Sequence, residues 1–417
     1  MGKIKRLPTG ISQFRSISDS NLYYVDKTMY LPKMEAVSDF LFFIRPRRFG
    51  KSLFLSMVAD YYDCENPKNI DEEFAGTWIA EHPLETKGKF QVLNLDFSQV
   101  AEEKSRLRED FETYFDIKVN AFIRKYAKYY SEETIQAVVN TKTPKSKISA
   151  FIDEAKEKDY QLYLIIDEYD NFTNVVLNEQ GHEVYHELTH GSGFYREIFK
   201  SFKPNFTRIL FMGVSPITLD DLTSGFNIAT NISVHFWFNN LLGFSETDVR
   251  EMIRYYQEAG QITKPEDEII AEMKPWYDNY CFAEECFGVE PSMYNSNMVI
   301  YYMSHLIRTG RSPKDMRDPN SKTDYAKMKR LVRLDCLDGD RKGVVRTIAE
   351  QGYIDAKVET SFQAVDVIDP NMFISLLFYH GMLTIGGTIL DKLHLVVPNL
   401  NVWDLYNRFM SENLSNE

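Results

Sequence analysis

Five apolar residues in unbroken succession, Phe40-Leu41-Phe42-Phe43-Ile44, end a polar lead-in, and after eight further residues the pattern Leu53-Phe54-Leu55-Ser56-Met57-Val58 is that of a helix. Short runs of this kind read as strands buried on both faces, as in a parallel sheet. Further runs at Phe90 to Phe97, Leu162 to Ile166, Arg208 to Val214 and Ile232 to Phe238 predict four more strands. Helical spacing fills residues 103–157 and 183–202 between them, and a short helix-like stretch precedes the first strand within residues 1–38. The alternation predicts an α/β fold with a doubly wound, mostly parallel sheet over residues 1–244.

Beyond the sheet the period changes. Ser245-Glu246-Thr247-Asp248 resembles a capping box and opens a helical pattern that runs to about residue 306. Arg308 to Asp324, with Gly, Pro, Ser, Asn and mixed charge, reads as a linker or exposed loop, so residues 245–324 form a second region. Helices follow, and Gly386-Gly387 between short apolar runs at 383–390 signals a hairpin. Helix, helix, hairpin and helix predict a winged-helix-like α+β region at 325–417.

The phosphate chemistry sits where the first strand gives way to its helix. Arg45-Pro46-Arg47-Arg48-Phe49-Gly50-Lys51-Ser52 is the end of a Walker A loop, with Gly50-Lys51-Ser52 at a helix mouth. Free backbone N–H groups and the helix dipole favour a polyphosphate there. The pattern asks for Gly at its first position, and this chain has Arg45. A second signal lies in Asp167-Glu168-Tyr169-Asp170, which closes the run Leu162 to Ile166 at the strand end where α/β sheets place ligands. Asp167 has the type and position to hold Mg²⁺, and Glu168 to polarise an attacking water. Ser215, closing the run Arg208 to Val214, is a candidate sensor of the terminal phosphate. Tyr24 and Val25 are candidates for a nucleotide-base pocket and equally for core packing. The expected nucleotide contacts are Tyr24, Arg47, Arg48, Phe49, Gly50, Lys51, Ser52 and Leu53, with Ser52 and Asp167 on the metal and Lys51, Glu168 and Ser215 in catalysis. For Arg47 and Arg48, contact with phosphate and pairing with Asp170 both stay open.

Composition narrows the class without choosing a ligand. A chain of 417 residues suits two to three domains. Four scattered cysteines argue for a reducing compartment, and Cys281 and Cys286 read as ordinary thiols. No segment approaches bilayer-spanning length, so the expectation is a cytoplasmic protein without a membrane partner. A formal charge of -13 argues against a broad nucleic-acid surface and leaves a local basic patch open.

With these residues in hand, the chain resembles the predicted AAA-ATPase-like family of bacterial P-loop proteins. The resemblance rests on Tyr24-Val25-Asp26-Lys27-Thr28, the loop from Arg45 to Ser52, Ile166 to Asp170, Thr223-Ser224-Gly225-Phe226-Asn227, Trp276-Tyr277-Asp278-Asn279-Tyr280 and Tyr294-Asn295. It implies that Arg45 is normal at its position, that ATP and Mg²⁺ are the cofactors, and that a helical lid and a winged helix follow the sheet. It also implies an Mg²⁺-dependent ATPase or a nucleotide-gated interaction module with negligible turnover. Pro216 stands where many members have Arg, so no arginine role carries over there. Many members continue into a PD-(D/E)XK nuclease domain. No such pattern is found in these residues, and nuclease or DNA-processing output is expected from another segment or a partner.

One motif competes. His182-Glu183-Val184-Tyr185-His186 matches the zincin pattern of two His one helical turn apart with a water-activating Glu, and His190 extends the same face. A third ligand and a cleft have no signature, and an exposed His-rich helix face is the simpler expectation.

Overall fold

The computed structural model describes residues 3–66, 68–100, 106–171, 193–216, 229–317, 341–360 and 370–414. Five strands form the main sheet: β1 (Phe40–Ile44), β2 (Phe90–Asp96), β3 (Gln161–Asp167), β4 (Arg208–Gly213) and β5 (Thr230–Asn231). Their order is β2-β3-β4-β1-β5 and every pairing is parallel. β4 therefore lies between the strand that feeds the phosphate loop and the strand that ends in Asp167. The register aligns Ile44 with Gly213 and Asp96 with Asp167, so the strand ends open on one edge of the sheet. Phe42, Phe43, Leu164, Ile165, Leu210 and Phe211 are buried, as continuous apolar runs in a two-faced sheet require.

Two expectations are corrected here. Ile232 to Phe238 is not a strand: the ladder stops at Asn231, and Phe236–Phe238 is a single 3-10 turn. The Ser233 hydroxyl donates to the Asn231 side chain and accepts from Ile44 N, while the His235 ring accepts from Trp237 N. These local bonds replace the ladder. Gly386-Gly387 is likewise not the hairpin turn. Both residues lie inside the strand Thr384–Ile389, where the pairing skips Gly386 opposite His394 and Leu395 of the strand Lys392–Val396. This is a β-bulge, and a Cβ on Gly386 would meet Val396 Cγ1 at 2.6 Å. The turn itself is Leu390-Asp391, with Leu390 at φ 57°.

The helical span beyond Ser245 is three helices, Glu246–Glu258, Glu266–Tyr277 and Ser296–Thr309, with a non-helical stretch before the last. The expected capping box is present: Ser245 Oγ accepts from Asp248 N, and Asp248 accepts from Ser245 N. These helices enclose their own core, including Val249, Met252, Ile270, Met273, Val299 and Tyr302. The C-terminal part has helices Arg341–Gln351, Pro370–Tyr379 and Leu400–Leu414 around an antiparallel sheet in which Lys392–Val396 lies between Tyr353–Ala356 and Thr384–Ile389. The strand Tyr353–Ala356 is not announced by the hydrophobic pattern. This part shares its core with the main sheet through residues such as Phe373, Leu377 and Phe378. Of the expected helix at 183–202, Phe194–Phe202 is helical and residues 183–192 lie outside the described residues. Among the described residues no helix is long and apolar enough to cross a membrane.

Candidate functional site

β1 delivers the chain to the loop, and Gly50 at φ 96° turns it into the helix Lys51–Tyr62. Arg48 also takes a left-handed φ of 70°. The loop is held from outside. Gly243 N donates to the Phe49 carbonyl, Asn297 N and Ser296 Oγ to the Arg48 carbonyl, and Asn295 Nδ2 to the Arg47 carbonyl at 3.4 Å. The beginning of the Ser296–Thr309 helix is thus stitched to the loop backbone.

Arg45, the residue that departs from the motif, is a buried staple. Its guanidinium lies between the Phe43 and Phe282 rings, 4.4 and 4.0 Å from their centroids. It donates to the carbonyls of Ile44, Ser233 and Phe238. Burial pushes it well below its ordinary pKa. Phe49 is buried too, edge-on to Tyr280 at 5.0 Å, so its ring anchors the loop.

Lys51 and Ser52 open the helix. Lys51 Nζ is buried and donates to the carbonyls of Arg45 and Pro46, at 3.0 and 3.1 Å, and burial lowers its pKa. Ser52 Oγ donates to Asp167 Oδ2 at 2.5 Å. Burial raises the Asp167 pKa to about 6, and the Ser52 hydrogen bond opposes that rise. Glu168 sits at φ 51° with its N–H on Asp167 Oδ1, and its carboxylate pairs with Arg47 Nη2 at 3.6 Å. The ion pair of Arg47 is therefore with Glu168. The Asp170 carboxylate is buried and accepts from Val214 N and Ser215 N, which lock the end of β4 to the end of β3. Burial and then the charge of Glu168 raise the Asp170 pKa.

Part of this set faces a cavity of about 440 Å³, whose lining includes neither Asp167 nor Asp170. Arg47, Arg48, Phe49, Gly50, Lys51, Ser52, Leu53, Glu168 and Tyr24 all line it, together with Val25. Ser215 does not: it is fully buried, and its carbonyl accepts from Tyr169 Oη at 2.6 Å. Sequence reasoning missed the far wall, made by Pro8, Ile11, Lys27, Met252, Asn297 and Ile300. Lys27 falls within the Tyr24-to-Thr28 stretch, the others carry no motif, and only Tyr294-Asn295 points to the neighbourhood of Asn297. His182, Glu183, His186 and His190, and the stretch Thr223 to Asn227, lie outside the described residues. Among the described residues no group of three or more His, Cys, Asp or Glu could hold a metal ion. Ser52 and Asp167 supply two adjacent oxygens, a set that fits Mg²⁺, which keeps phosphates and waters as its other ligands.

A parallel sheet with the phosphate loop after β1 and the acidic pair after β3 is an α/β P-loop NTPase fold. The chain is similar to an uncharacterized protein in the vnfD 5' region of Azotobacter chroococcum mcd 1, 24% identical over 286 residues. That alignment covers 67% of this chain and 49% of the relative, so the chain spans about half the relative's length. Among solved structures, that of the Aeropyrum pernix ORC2 protein in ADPNP and ADP complexes aligns over 96% of this chain and 98% of that chain, at 11% identity and a TM-score of 0.41. The profile of the predicted AAA-ATPase family matches residues 8–223, from the cavity's first wall through the loop and the acidic pair to beyond β4, and the chain belongs to that AAA-ATPase-like family.

Proposed function

We propose that the chain is an Mg²⁺-dependent ATP-binding and hydrolysing module that works as a slow switch. The observation that carries this reading is the Ser52–Asp167 contact, made by a residue that lines the same cavity as Lys51 and Glu168. Lys51 would exchange its loop carbonyls for the β- and γ-phosphates, and the backbone around Gly50 would cradle them. Ser52 and Asp167 would hold Mg²⁺, which when bound neutralises charge on the transferred phosphate. Glu168 would orient water. Tyr24, Val25, Ile11 and Met252 offer the base a largely apolar wall. Ser215 would report on the γ-phosphate through the Asp170 and Tyr169 bonds that tie it to the turn after β3, where Glu168 lies.

The regions at 245–324, as a helical lid, and 325–417, as a winged-helix-like unit, would carry the nucleotide state outward. The Asn295 and Ser296 bonds to the loop support the first route, and the packing of Gly381 on Pro46 supports the second. Control of a nuclease or DNA-processing partner in the cytoplasm is the output we favour, by family resemblance. A nucleotide-gated module with negligible turnover is the second reading, favoured by the engaged state of Lys51 and Glu168.

Lys51→Ala and Glu168→Gln test the proposal together. Calorimetry should find ATP affinity lost in Lys51→Ala and kept in Glu168→Gln, while phosphate release in Glu168→Gln falls by about 10² to 10⁴. Undiminished ATP binding by Lys51→Ala would sink the nucleotide site. Negligible release by the parent would select the second reading.

A further inference from the structure

The ion pair between Arg47 and Glu168 joins the phosphate loop to the acidic pair across the cavity. Arg47 Nη2 lies 3.6 Å from Glu168 Oε2, and both side chains line the cavity. Both backbones carry hydrogen bonds of their own. Glu168 N is held by Asp167 Oδ1 and its carbonyl by Asn171 N, both at 2.9 Å, and the Arg47 carbonyl is held by Asn295.

Arg47 also has spare capacity: its Nε is buried without a hydrogen-bond partner among the described residues. A guanidinium is a planar fork that fits phosphate oxygens bidentately, and a terminal phosphate carries more charge than a carboxylate. The Arg47 side chain is 37% exposed and that of Glu168 18%, so solvent already weakens their pair. Resting on the nucleotide-site reading above, we propose that Arg47 is a positioning residue for Glu168. It holds the carboxylate in the empty site and gives it up to the cavity when the γ-phosphate of a nucleoside triphosphate takes the guanidinium. Glu168 is then delivered only when there is a phosphate to attack. A diphosphate lacks the group that draws Arg47 away, so it leaves the pair closed.

A double-mutant cycle on binding tests this without turnover. The probes are the non-hydrolysable imido analogue of ATP and ADP, each with Mg²⁺, titrated calorimetrically into the parent, Arg47→Gln, Glu168→Gln and the double variant. With Arg47 present, Glu168→Gln should tighten the triphosphate analogue by about three- to tenfold, because the guanidinium no longer has to leave a partner. With Arg47→Gln the same change should gain less than about twofold, and ADP should show no such coupling. Equal gains in both backgrounds would mean that Glu168 acts on the phosphates directly and would overturn the proposal. So would equal coupling for ADP, or no gain in either background. Failure of the parent to bind the analogue would instead overturn the nucleotide site itself, and the two failures are separate readings of one data set.

Discussion

Ser52 Oγ and Asp167 Oδ2 meet at 2.5 Å, closing the gap between the first turn of the phosphate-loop helix and the end of β3. The contact links the helix that follows β1 to β3, although β4 lies between those two strands. It places a hydroxyl on a carboxylate that is costly to ionise where it stands.

That cost gives a pH dependence. Asp167 titrates at an ordinary 3.8 when unfolded and at about 6 in the fold, so between those values the native state holds the extra proton. The native advantage is full below the unfolded value, is lost as pH rises through the folded one, and stays absent above it. Asp167→Asn should therefore stabilise the nucleotide-free protein at about pH 7.5, by on the order of 1–3 kcal/mol, and change little near about pH 4. Denaturant unfolding at both pH values checks this. Mg²⁺ with ATP should stabilise the parent and not the variant.

Arg45→Gly restores the residue that the loop motif usually has, and it should harm this protein. The substitution removes a guanidinium held between two rings and its bonds to the carbonyls of Ser233 and Phe238, of which the latter keeps Leu241 N as a donor. A loss on the order of 3 kcal/mol is expected in equilibrium unfolding. A variant as stable as the parent would remove the staple from this account.

Gly381 has φ 75°, and a Cβ there would meet Pro46 Cγ at 2.8 Å. Gly381→Ala should cost about 1–3 kcal/mol in stability. It should also weaken ATP binding measurably, because the strain falls on the loop. Unchanged affinity in a destabilised variant would limit this contact to packing.

Two helix caps separate capping from loop positioning. Asn295 caps Ser296–Thr309 and also donates to the Arg47 carbonyl, whereas the Ser245 side chain caps Glu246–Glu258 by accepting from Asp248 N. Each change to Ala should cost about 1 kcal/mol of stability. Only Asn295→Ala should also lower ATP affinity in calorimetry.

Parts of this design are legible along the chain. Phe40 to Ile44 and Leu162 to Ile166 announced their strands because burial on both faces leaves no polar position, and Ser245 and Asp248 announced their helix through a bond four residues long. Ile232 to Phe238 misled because apolar content is the same in a strand and in a buried turn, and the bonds of Ser233 that end the ladder depend on Ile44, far away in sequence. Gly386-Gly387 misled because glycine serves bulges as readily as turns. The partners of Arg47, Lys51 and Arg45 were not legible, since each is a carbonyl, a ring or a carboxylate chosen by the tertiary fold. The cavity wall from Pro8 to Val25 was visible only at Tyr24 and Val25.

The sheet order has a further consequence during synthesis. β1 is the first strand made, yet its two neighbours, β4 and β5, begin roughly 170 residues or more further along the chain. Until they emerge, Phe40 to Ile44 has no in-register partner on either side, while β2 and β3 can pair with each other. An apolar segment waiting this long is a hazard for aggregation on the ribosome and a natural client for chaperones. Nucleotide cannot rescue it, because the loop that would grip a phosphate is braced by Asn295 to Asn297, which are synthesised later still.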